Sequence, residues 1–195
     1  MIRKNKLSLK NQWKEAKRYI VECNEQIYVI ITLFFVSSVL GFVFSDYLIF
    51  IEDLLREIIY QVEGLSGVEL IVFILQNNVQ SAFFGMLFGV FFGVFSLINS
   101  VGNGIVLGYV SSLVVSESGV LSLWALLPHG IFELSAIFIS LGMGLNLGGS
   151  LFLKKGKKMK ELKRRFYESI NVFLIVVLPL LILAAVIEGI LIALS

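Results

Sequence analysis

The apolar positions fall into long runs broken by short polar stretches, the pattern of helices that cross a bilayer. Residues 26–45 form the first run long enough to span. Positive charge precedes it and no small-residue cleavage site follows, so the pattern predicts a retained span and not a removed leader. Residues 68–98 are apolar but too long for one straight crossing: such a helix would cover about 46 Å, against a hydrocarbon core of about 30 Å. The break at Gln76, Asn77 and Asn78 predicts that 79–98 cross while 68–75 enter at an angle or lie near the outer surface. A turn is expected over 99–104, where Asn99, Asn103 and Gly104 end the helix at its inner side. A short third span follows over 104–116, then an interfacial stretch with Trp124, a fourth span over 128–148, and a fifth over 169–194 that Pro179 should kink.

Two segments carry a different period. In residues 1–25, Leu9, Trp13, Ala16 and Ile20 recur at helical spacing among basic residues, which predicts a surface helix with Trp13 and Tyr19 at headgroup level. In 46–67, acidic residues alternate with Leu and Ile, which predicts a second interfacial helix on the opposite side. The expected fold is an all-α membrane protein. It is a five-span bundle with two interfacial amphipathic helices, one domain over 1–195, in which 154–168 form a cytoplasmic basic loop.

Asn77, Ser81, Gly85, Gly89 and Gly93 recur at every fourth position, as do Gly104, Gly108 and Ser112, and on the fourth span Glu133, Ala136, Ser140, Gly144 and Gly148 fall along one side. Such stripes let helices approach closely in lipid. They predict that spans two, three and four pack together, and that a homodimer forms through a glycine-lined face.

Composition sharpens this picture. Hydrophobic residues make up 57% and charged residues 15%, with a mean hydropathy of +0.91, so a soluble domain is excluded. No short alternating segments suggest a β-barrel. The single Cys23 excludes a disulfide within one chain and offers no metal pattern; a plain interfacial cysteine is expected. Fifteen of the sixteen Lys and Arg residues lie within 3–18 and 154–165, and Arg56 is the exception. Four spans separate the two segments, so the positive-inside rule predicts a cytoplasmic N-terminus and an extracytoplasmic C-terminus in the cell membrane. The basic stretch 154–165 should attract anionic lipid headgroups. It is charge of the kind that orients membrane proteins, and no nucleic-acid partner is expected.

The candidate chemistry centres on Pro128-His129-Gly130-Ile131-Phe132-Glu133. His129, the only histidine, and Glu133 share one helix face. A glutamate at membrane depth needs a partner or a task. On the expected topology His129, Glu133, Asn77, Asn78 and Glu188 fall at one level near the outer face. A structural hydrogen-bond network is the leading reading, and a substrate or proton pathway through Glu133 and Glu188 is the second. A metal-dependent hydrolase using His129, Glu133 and Glu188 is the third, weakened because helical zinc motifs use two histidines. No phosphate loop, nucleophile elbow or dinucleotide fingerprint occurs, and no cofactor is expected.

The ordered set of Asn77-Asn78 in a broken run, Asn103-Gly104, Pro128-His129-Gly130-x-x-Glu133-Leu134-x-Ala136 and the following Gly142 and Gly144 resembles the stage II sporulation protein M family. The resemblance implies a multi-span, non-enzymatic membrane scaffold or complex subunit. The sporulation member works in engulfment alongside peptidoglycan-degrading enzymes, and many relatives belong to organisms that form no spores.

Overall fold

The computed structural model describes the backbone of residues 9–194 and their side chains, except those of residues 59, 125–129 and 192–194. Eight α-helices follow one another among the described residues: α1 (Leu9–Glu22), α2 (Asn24–Val43), α3 (Ile49–Val62), α4 (Gly67–Leu87), α5 (Val94–Ser118), α6 (Leu127–Gly149), α7 (Lys158–Val172) and α8 (Leu178–Leu194). Five helical stretches are long and apolar enough to cross a membrane: Asn24–Val43, Gly67–Val90, Val94–Ser118, Gly130–Phe152 and Lys158–Leu191. The five-span all-α expectation holds.

Two boundaries differ from the sequence reading. α4 starts at a capping box, in which Glu69 N–H donates to Ser66 Oγ and Ser66 N–H donates to Glu69 Oε2 at 2.8 Å. Residues 68–75 are therefore the first turns of the second span, and Asn77 and Asn78 sit near its middle. The chain reverses at Phe91–Gly93, not at 99–104. Phe92 takes φ 57° and Gly93 φ 76°, and Gly93 N–H donates to Gly89 O at 2.7 Å. Asn99, Asn103 and Gly104 lie inside α5. There Asn103 Nδ2 donates to Asn99 O at 2.8 Å and to Asn99 Oδ1 at 2.9 Å, so the carboxamides decorate an intact helix and do not end it.

The central helix is α6. It packs against α2, α4, α5 and α8, and its Leu141, Met143 and Leu147 are fully buried. Glycine permits the closest crossings. A Cβ on Gly144 would stand 2.9 Å from Gly85 O, and one on Gly148 2.6 Å from Phe92 C. Ser140 Oγ donates to Ala82 O at 2.8 Å, and Ser96 Oγ to Gly85 O at 2.9 Å. Buried Ala136 lies in the same core. The stripe on the third span turns elsewhere: Gly104 and Gly108 press on α2 at Phe34, Ser38 and Phe42, and Gly41 presses back on Ile105. Spans two and three thus hardly meet beyond their shared turn. Gly85, Gly89, Gly93, Gly108 and Gly144, read from the sequence as helix-packing positions, are covered inside one chain.

At one end α1 lies on α7. Ala16, Tyr19 and Cys23 are 0% exposed, so the Tyr19 ring and the Cys23 thiol pack inside the protein and are not presented to headgroups. Trp13 stays half out, with Lys17 Nζ 5.3 Å above its ring. The expected loop 154–168 is largely helix, and α7 runs through a wider-wound turn (Phe173–Val177) straight into α8. Leu178 N–H reaches back to Phe173 O in that turn, which accommodates the donor that Pro179 lacks.

Candidate functional site

Glu133 lies two turns into α6, half-buried, where α6 crosses α4 and α8. The Asn78 carboxamide of α4 and the Glu188 carboxylate of α8 lie close enough to Glu133 to influence it electrostatically. The approach of α8 is close here: a Cβ on Gly189 would touch the Ile71 side chain at 2.5 Å. One carboxamide and one carboxylate, from α4 and α8, thus neighbour Glu133. Asn77 does not join them. Neighbouring residues on a helix point about 100° apart, so Asn77 is exposed and lines a different cleft with Gln80, Ser81 and Asn99. The backbone of His129 starts the same helix one turn before Glu133, but its side chain lies outside the described residues.

A cleft of about 560 Å³ reaches Glu133 between α2, α5 and α6. Phe35, Leu107, Leu134 and Phe138 make its walls, with Ser111 and Ser135 as the other polar groups. Ser135 Oγ is engaged with Ile131 O at 2.6 Å. Among the described residues no three His, Cys, Asp or Glu side chains are grouped to hold a metal ion. Asn78 on α4, Glu133 on α6 and Glu188 on α8 thus set three polar side chains near one another between the spans.

A second polar network, at the α1–α7 end, was not legible as a site in the sequence. Asn146 Nδ2 donates to Tyr19 Oη at 3.3 Å and to Cys23 Sγ at 3.1 Å, while Tyr19 Oη pairs with Ser169 Oγ at 3.2 Å. The Arg165 guanidinium donates to Asn146 Oδ1 at 2.8 Å and to Glu161 Oε1 at 3.2 Å. Arg164 engages Glu22, Glu161 and Glu168, and Arg18 reaches Glu168 at 3.0 Å. Burial pushes the Cys23 thiol up to about 11, and raises Tyr19 as well. Both groups are therefore neutral, inert parts of the packing. The one available signal was Asn146, a lone carboxamide inside the glycine-rich run 142–149, together with the buried spacing of Ala16, Tyr19 and Cys23. Arg164 and Arg165 are consequently engaged by protein groups, and the exposed cations of the basic stretch are Lys154, Lys155, Lys157, Lys158, Lys160 and Lys163.

No curated protein and no solved structure matches the chain. The family model described as Stage II sporulation protein M matches residues 29–191, from the first span to the last, and takes in both polar clusters apart from Arg18, Tyr19, Glu22 and Cys23. With most of its length matched and five apolar helices of spanning length, the chain is a membrane protein of the Stage II sporulation protein M family.

Proposed function

We propose that this protein is a non-enzymatic scaffold or complex subunit of the cell membrane, and that Asn78, Glu133 and Glu188 lock its spans into one rigid body. The observation that carries the reading is the set of glycine-backed crossings, with Asn78, Glu133 and Glu188 neighbouring one another where α4, α6 and α8 pack. A mobile carrier would need these helices to part. Charge gives the orientation: α1 and α7 carry the basic residues and face the cytoplasm, while acidic α3 and the C-terminus lie outside. The exposed lysines of 154–163 then face anionic headgroups. No cofactor and no nucleic acid enters this reading.

The test is to compare Glu133→Gln and Asn78→Leu with the unaltered protein, for melting in detergent and for proteins co-purified after mild solubilisation. A structural lock requires both measures to fall together. A variant that melts normally and keeps its partners, yet abolishes the cellular phenotype, refutes the lock and points to chemistry at Glu133. The second reading, a transporter component, is favoured by the cleft that reaches Glu133. It requires ion or solute flux in proteoliposomes that Glu133→Gln removes.

A further inference from the structure

Asn77 and Gln80 lie in the middle of the second span, exposed, and make no side-chain hydrogen bond to any described residue. Beside them on the third span are Asn99 and exposed Asn103; Asn99 Nδ2 reaches Ser81 Oγ only at 3.5 Å. Between the two helices is a cleft of about 280 Å³, walled by Phe84, Phe88 and Phe95. Asn99 is half-buried and accepts from Asn103, while Asn77, Gln80 and Asn103 are exposed along a span, at a depth where lipid supplies neither donor nor acceptor. Backbone and amide groups in that region must find partners in protein or enclosed water.

We propose that this α4–α5 face is where a second copy of the chain docks, its carboxamides bonding those of its partner across a two-fold axis along the membrane normal. Three features select a second copy over any other occupant. A primary carboxamide is donor and acceptor at once, so a row of them is complementary to itself. A two-fold contact brings the same patch against itself. Every copy inserts with the same orientation, so the rows meet at the same depth without adjustment. The exposed Gly102 beside Asn103 has nothing within 4 Å of a Cβ position and leaves room for the approach. The interface is a carboxamide face, where the sequence suggested a glycine-lined one. It deepens the reading of this protein as a complex subunit, but the two can fail separately, because partner capture is measured apart from self-association.

The experiment introduces Asn77→Cys or Gln80→Cys into the full chain and oxidises native membrane vesicles with copper phenanthroline. Buried Cys23 stays in place as the blank. Val186→Cys, on the exposed side of α8, serves as the lipid-facing control. Disulfide-linked dimers are expected at 77 and 80 at about ten times the control yield, because the paired faces hold the two thiols within reach of each other while the remaining carboxamide of each variant keeps the copies associated. Yields equal to the control, or links to a different protein, overturn the proposal. As a second measurement, Asn77→Leu with Gln80→Leu should weaken self-association of labelled chains in liposomes about tenfold, with the melting of the single chain unchanged. Undiminished association, or a lowered melting point, would count equally against it.

Discussion

Gly108→Ala measures how closely α2 and α5 approach. A Cβ at this position would stand 2.7 Å from Phe42 N and 2.8 Å from Ser38 C, and closer still to the Ser38 carbonyl oxygen. Carbon contacts settle near 3.5–4.0 Å, so α2 must move by about 0.8 Å or more. The obstructing atoms are backbone and cannot rotate aside, which places the substitution in the upper part of the overpacking range of about 1–3 kcal/mol. The same displacement stretches Ser100 Oγ to Ile30 O and Ser45 Oγ to Ser112 Oγ, both 2.9 Å. Such bonds contribute about 0.6 kcal/mol each in membrane bundles. A loss of about 3 kcal/mol follows, or roughly 6–12 °C in melting temperature on the scaling for chains of this size. Gly130→Ala supplies the opposite sign. Nothing lies within 4 Å of its Cβ position inside α6, so relief of glycine's entropy should stabilise by about 0.5–1 kcal/mol. Tryptophan fluorescence during thermal unfolding in detergent reads both. If Gly108→Ala melts with the unaltered protein, the α2–α5 crossing is not glycine-limited and the packing account fails.

The polar networks give three further expectations. Tyr19→Phe removes one hydroxyl and should cost about 1 kcal/mol, whereas Asn146→Leu leaves the Tyr19 hydroxyl short of one donor and Arg165 short of an acceptor, and should cost about 2–3 kcal/mol; equal melting points would refute the network. Cys23 gives a pH signature. An unfolded thiol ionises near about 8.5, while the native one stays protonated to about 11. The unfolded chain therefore loses a proton that the folded chain keeps, and stability should fall as pH rises through that window; Cys23→Ala should flatten the slope, and an unchanged slope would sink the assignment. Finally, Asn78→Leu and Glu133→Leu should each destabilise, and together by less than their sum, with a coupling of about 1 kcal/mol; strict additivity would show that the two side chains do not touch.

What the sequence made legible was whatever depends on composition over a whole helix. The number of spans, the two amphipathic helices and the fourth span starting near Pro128 all follow from runs of apolar residues and the charges between them. What it obscured were features decided by one or two residues. The reversal at Phe91–Gly93 is built from aromatic residues and glycine, and a left-handed Phe92 carries none of the polar signals that mark turns. Asn103-Gly104, which does carry them, lies inside α5 because its carboxamide bonds back onto its own helix. Ser66-x-x-Glu69 was a usable start signal for the second span, and it corrects the placement of everything after it on α4.

That correction decides which asparagine matters. With α4 begun at Gly67, Asn78 faces α6 and α8, and Asn77 faces out toward the α5 carboxamides. A helix register wrong by one residue rotates every side chain by about 100°, enough to exchange the interior lock for the outer face. Two adjacent asparagines that read as one motif therefore belong to two surfaces with different requirements. The inner one lies near Glu133. The outer one makes no side-chain hydrogen bond to any described residue, and on the docking proposal a second copy meets that capacity in the bilayer.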